Sequence, residues 1–171
     1  MTRTALLFAL ALSSAAIAQQ TPAPPPCAKP EFRQFDFWVG EWVVMHPDNG
    51  QELGRNRIER VLNDCALHES WTGKGGFRGE SFSLYDAARG VWHQTWVDQT
   101  GGLLLLDGGL HDGRMVLQAR STHSGGAKIQ RISWTPRPGG SVRQHWEASE
   151  DDGKTWKTVF DGIYRRTGTA S

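Results

Sequence analysis

Three short stretches of this 171-residue chain place a Glu or Gln two residues before a tryptophan: Glu69 with Trp71, Gln94 with Trp96 and Gln144 with Trp146. Residues two apart in an extended strand share a face, so each polar group lies on the same side as its indole. A carboxylate and two amides among broad aromatic surfaces suit a small-molecule pocket. There apolar contact supplies area and a few directed polar groups fix orientation. The same stretches admit a second chemistry, in which Glu69 or His145 acts as acid or base, or Glu69 and Glu147 divide those roles as a carboxylate pair. A third reading gives these residues to a filled core, and the protein a structural place in the envelope with no ligand.

Other reactive signatures are weaker. Gly79-Glu80-Ser81-Phe82-Ser83 lacks the second glycine of a hydrolase elbow. The histidines at positions 46, 68, 93, 111, 123 and 145 show no paired metal-ligand spacing, so a metal site would have to be assembled by the fold. Ser149-Glu150-Asp151-Asp152-Gly153-Lys154-Thr155-Trp156 matches an Asp-box, which reads as a hairpin: the Asp caps turn amides, Gly takes a positive φ and Trp packs beneath the loop. No glycine-rich phosphate loop leads into a helix.

The elements that must position these residues are strands. Phe32, Phe35 and Trp38 fall at three-residue steps, which predicts one or two helical turns over 31–38 that narrow the mouth of the fold. After Gly40 the period changes to two, and clusters of Gly, Asn, Asp and Pro punctuate the chain at intervals that suit tight reversals. The pattern predicts ten strands, near 41–46, 53–62, 66–72, 79–86, 91–98, 103–110, 114–122, 127–135, 141–149 and 155–166. Evenly spaced strands without intervening helices make an all-β antiparallel meander, and ten twisted strands close into a barrel. Along 91–98, Trp92, Gln94, Trp96 and Asp98 oppose Val91, His93, Thr95 and Val97, so neither face is purely polar. Two arrangements accommodate that mixture: a ligand- or water-holding lumen, or packing of both faces under loops.

Residues 1–18 read as a signal sequence, with Arg3, an apolar run from Ala5 to Leu12, and a small-x-small cleavage site at Ala16-Ile17-Ala18. A proline-rich leader covers 19–30 and the barrel domain 31–167. Removing Arg3 leaves Lys+Arg equal to the 18 Asp+Glu. A neutral chain has no clustered positive charge for nucleic acid and no pull toward anionic lipid. No apolar run approaches the ~20 residues of a membrane-spanning helix. The expected setting is the periplasm or the medium, and the composition leaves the oligomeric state open. Cys27 and Cys65, an even count in an exported chain, favour one disulfide over two free thiols.

Phe35-Asp36-Phe37-Trp38-Val39-Gly40-Glu41-Trp42 puts a Gly-x-Trp step behind an aromatic turn, and Arg165 and Arg166 close the last strand. In this the chain resembles the lipocalins and the wider calycin superfamily, whose barrels open with such a step and pack a late Arg on its Trp. More closely it resembles a family of secreted bacterial lipocalin-like proteins of uncharacterised activity. The shared segments are that opening, Cys65 to Trp71, Trp92 to Asp98, Val142 to Glu147, and Tyr164 to Arg166. The resemblance implies export and a lipocalin-like barrel. It also implies closure by Arg166 on Trp42, Arg166 sharing strand parity with Phe160 and Tyr164. A haem-binding cousin has glycines where this chain has Val44 and His46, and a histidine on its last strand that is missing here. Neither haem nor another cofactor is expected. The ligand expected is a small apolar or amphipathic molecule on Trp71, Trp96 and Trp146, oriented by Glu69, Gln94 and Gln144.

Overall fold

The alternation of inward and outward side chains resolves into ten strands in a computed structural model that describes residues 25–120 and 129–168. The expected signal sequence, the leader before residue 25, and the turn at Ser124-Gly125-Gly126 lie outside the described residues. The strands are Gly40–Met45 (β1), Glu52–Val61 (β2), Ala66–Gly73 (β3), Arg78–Asp86 (β4), Val91–Asp98 (β5), Leu103–His111 (β6), Arg114–Arg120 (β7), Ile129–Pro136 (β8), Val142–Ser149 (β9) and Lys157–Arg166 (β10). Each begins and ends within two residues of its expected position. Every strand pairs antiparallel with its predecessor, and β1 pairs with β10 to give a closed barrel. The turn residues explain the regularity: Gly50, Gly76, Gly90, Gly101, Gly113 and Gly153 all sit at positive φ, where a side chain is disfavoured.

One end of the barrel is sealed by the aromatic turn. Two 3-10 segments, Pro30–Arg33 and Asp36–Trp38, carry Phe35 and Trp38 into full burial. Phe35 stacks on Trp38 at 4.9 Å and meets Trp92 and Trp134 edge-on at 5.6 and 5.1 Å. Trp92 Nε1 donates to Gln34 Oε1 at 3.1 Å, and Trp42 Nε1 donates to the Trp38 carbonyl at 2.9 Å. Expected to narrow the mouth, this turn instead plugs the end opposite the lumen's cavity. It packs beside the β4–β5 end through Phe32 on Tyr85, whereas Phe77, at the β3–β4 end, lines the cavity.

Closure rests on Arg166. Its guanidinium lies 4.4 Å over the Trp42 ring and donates to the Val39 carbonyl at 3.1 Å. Gly40 makes that approach feasible: a Cβ there would fall 2.3 Å from Arg166 Nη1, and its φ of 143° disfavours any other residue. The Cys27–Cys65 disulfide, with Cα atoms 5.2 Å apart, ties the leader to the start of β3. It adjoins Leu62, Asn63 and Asp64, three successive residues at φ 54°, 54° and 63°, a left-handed turn costly for side-chain-bearing residues.

The Asp-box folds as the β9–β10 hairpin. Asp151 accepts hydrogen bonds from the Thr155 hydroxyl at 2.6 Å and from the Thr155 amide at 2.8 Å. These donors, the hydroxyl foremost, hold its carboxyl down at about 2. Trp156 lies beneath the loop, its Nε1 donating to the Gly153 carbonyl and Arg131 stacked 3.9 Å above its ring. On the outer wall, Phe82, Val97, Leu103 and Leu105 are exposed. The mixed outer faces seen in the sequence are therefore a solvent-facing apolar row, not packing under loops. Among the described residues, no helix is long and apolar enough to cross a membrane.

Replacing Arg166 with Ala is expected to lower the unfolding free energy by about 1–2 kcal/mol through lost cation–π contact and packing. Replacing both Cys27 and Cys65 with Ser is expected to cost about 4 kcal/mol, the loop-closure value for such a separation. Urea unfolding followed by tryptophan fluorescence measures both.

Candidate ligand-binding site

In an antiparallel meander the odd-numbered strands all run the same way, so an identical pattern on β3, β5 and β9 repeats at the same height. Inward positions on these strands read Leu67-Glu69-Trp71, Trp92-Gln94-Trp96 and Val142-Gln144-Trp146. Leu67, Trp92 and Val142 are buried beside the plug. Glu69, Gln94 and Gln144 form a middle polar layer, and Trp71, Trp96 and Trp146 stand above it, each part-buried. All six polar and Trp residues singled out from the sequence line one cavity of about 180 Å³. Phe77, Leu104, Ile132, Phe160 and Tyr164 complete its wall.

Glycines on the neighbouring strands let the indoles lie back against the wall. A Cβ on Gly79 would sit 2.1 Å from Trp96 Cζ2, and one on Gly54 would sit 2.8 Å from Trp71 Cη2. Both lie well inside van der Waals contact. The ring edges are then tethered. Trp146 Nε1 donates to Gln130 Oε1 at 2.7 Å, Trp96 Nε1 reaches Asp98 Oδ2 at 3.4 Å, and Trp71 meets Phe160 edge-on at 5.8 Å. The upper layer is pre-arranged around open space.

The polar layer is a connected network. Glu69 Oε1 accepts from Asn56 Nδ2 at 2.7 Å, and Oε2 accepts from the Ser81 hydroxyl at 2.6 Å. Gln94 Nε2 donates to Ser81 and Ser83 at 3.2 and 3.0 Å. Asn56 Nδ2 also donates to the Tyr164 hydroxyl at 3.2 Å, and that hydroxyl donates to Gln144 Oε1. Burial pushes the Glu69 carboxyl above the ordinary glutamate range, against the pull of its Ser81 and Asn56 hydrogen bonds. Burial likewise raises the Tyr164 phenol, with the nearby Glu69 charge adding to it.

Three polar atoms of this layer have no hydrogen-bond partner among the described residues: the Asn56 oxygen, Gln94 Oε1 and Gln144 Nε2. The first is fully buried, at a cost of about 1–3 kcal/mol. The other two belong to side chains on the cavity wall. The layer is thus imperfect as a stabilising device and suited to presenting a donor and acceptors to a guest.

Several members escaped the sequence reading. Ser81 and Ser83 lie in the stretch considered as a failed hydrolase elbow; their parity opposite the exposed Phe82 was the available signal. Asn56 shares parity with buried Ile58 but stands between two arginines that suggest a solvated strand. Tyr164, of the same strand parity as Phe160, reaches Gln144 on the adjacent strand but meets Asn56 only through closure. His145 faces the outer surface, where its Nε2 is 3.1 Å from the Thr158 hydroxyl. It is therefore not the lumenal acid or base considered from the sequence, because its strand parity opposes Gln144 and Trp146. Glu147 is also outward, bonded by Arg131 at 3.0 Å, so no carboxylate pair forms with Glu69.

Compared with family models and with curated proteins, the chain matches none.

Two outcomes follow from this geometry. Gly79→Val should drive the Trp96 indole off the wall into the lumen and shrink the cavity, as a crystal structure of the variant would show. Glu69 takes up its proton at higher pH folded than unfolded, so its contribution favours the fold at low pH. That contribution is lost as pH rises from the unfolded value through the raised folded one. Glu69→Gln should flatten that loss, read from thermal melts across about pH 4 to 9.

Proposed function

We propose that the protein is an exported small-molecule-binding barrel of lipocalin-like kinship, its ligand held against Trp71, Trp96 and Trp146 and oriented by Glu69, Gln94 and Gln144. The observation that carries the reading is an open cavity of about 180 Å³ with an aromatic upper wall and a polar floor. An apolar cavity near 150 Å³ accommodates benzene, so the guest is about one ring in size with one or two further heavy atoms. Ligand pockets combine broad apolar surface with a few convergent polar groups, and Gln94 Oε1 and Gln144 Nε2 are available to play that part. Export is supported by the signal-like pattern of residues 1–18 and by the Cys27–Cys65 bridge, a bond that persists in oxidising compartments. The calycin kinship is supported by the Gly40-Glu41-Trp42 opening and the Arg166 guanidinium over Trp42.

Native mass spectrometry of protein purified from its own host is expected to show a retained small molecule that leaves on denaturation. Toluene soaked into crystals should occupy the space between the three indoles. Absence of both a retained mass and toluene density would overturn the reading. Gln94→Leu should weaken binding of benzyl alcohol several-fold by removing an acceptor from the floor, while thermal stability is unchanged or higher.

A further inference from the structure

Among the described residues, Glu69 is the one carboxylate on the cavity wall, and no Arg, Lys or His accompanies it there. The groups facing it from neighbouring strands are neutral: Asn56 from β2, Ser81 from β4, and Tyr164 beyond Asn56 on β10. Arg57 on β2 is outward and paired with Glu59 at 2.7 Å. His68, next in sequence, sits beside Glu80 of β4 at 3.0 Å. Every other carboxylate described above has a cation or exposed donors beside it; Glu69 is buried with no cation bonded to it, though charge on the neighbouring His68 favours its ionised form.

The polarity of the network is set for the ionised form. Asn56 Nδ2 can only donate. Ser81 receives a hydrogen from Gln94, which leaves its own hydroxyl hydrogen for Glu69. Both carboxylate oxygens therefore receive hydrogens, as an anion requires. Burial acts the other way and raises the proton affinity of Glu69, because an uncompensated buried charge is expensive. What the site lacks is one positive charge. The walls above it are Trp71, Trp96, Trp146, Phe77 and Phe160, rings whose negative faces attract a cation once it is desolvated. Gln94 Oε1 supplies a further acceptor at the same floor.

Building on the small-molecule reading above, we infer that the cavity receives an organic ammonium ion of about one-ring size, its cationic head on Glu69 and Gln94 and its apolar body among the tryptophans. The guest converts an isolated buried carboxylate into a buried ion pair, which is favourable only where both partners are hydrogen-bonded; Glu69 already accepts from Asn56 and Ser81, and Gln94 Oε1 offers the ammonium a second acceptor.

The test is calorimetric titration of the intact protein with benzylammonium and with benzyl alcohol, a neutral probe of the same size. Measurements would run between about pH 5 and 8, a range over which benzylammonium stays charged. Benzylammonium is expected to bind at least tenfold more tightly at the alkaline end, with the advantage shrinking as Glu69 becomes protonated. Near the pH at which Glu69 titrates, binding should release a proton, seen as a dependence of the heat on buffer ionisation enthalpy. Glu69→Gln should abolish the advantage of benzylammonium over benzyl alcohol. Should that variant fail to fold, the wild-type pH profile and proton release decide the matter. Equal affinity for the two probes, or no proton release, overturns the ammonium assignment while leaving a small-molecule cavity. Failure of both probes to bind overturns the small-molecule reading with it.

Discussion

The ladder between β1 and β10 turns a ten-stranded ribbon into a vessel, and most other features depend on it. It pairs Trp42 with Arg166 and Val44 with Tyr164. An open sheet would leave two unpaired edges, a liability that only full closure removes. Arg166 secures the register by covering the Trp42 ring and bonding the Val39 carbonyl. The same register delivers Tyr164 to Asn56, 108 residues away in sequence. Closure and the polar floor are therefore one event.

Inside the vessel, height determines chemistry. The lowest layer is an aromatic plug of Phe35, Trp38, Trp92 and Trp134, all buried. Hydrogen bonds directly above it are little exposed to competing water, which strengthens them and raises the penalty for any group left alone. The polar layer sits there because it can satisfy most of its own demands, with Ser81 and Asn56 relaying donors toward Glu69. Above it the indoles stand against glycine-lined wall, tethered by Gln130 and Asp98. That order gives a site whose shape precedes its guest, and preorganisation lowers the entropy lost on binding.

The sequence by itself determined which residues share a face. Strand period is two, so Glu69 and Trp71, Gln94 and Trp96, and Gln144 and Trp146 had to share faces whatever the fold. The turn residues fixed ten strands and an antiparallel meander, since short Gly, Asn and Asp turns allow no crossover helix. An even cysteine count pointed to the Cys27–Cys65 bridge. Parity also held the answer for His145 and Glu147, which alternate with Gln144 and Trp146 and so face outward.

Only the tertiary structure decided what these faces meet. Sequence carries no direct signal for which end the aromatic turn seals, because that depends on how the chain enters β1. The hydrogen bonds of the floor join residues from 11 to 108 positions apart, and their geometry follows from barrel register, a property of the closed sheet as a whole. Asn56, Ser81 and Ser83 look like ordinary strand surface until closure curls their faces inward around one carboxylate. The space between the tryptophans is likewise a tertiary result: Gly54 and Gly79 lie on strands adjacent to the indoles they accommodate, and a void has no residue of its own to announce it.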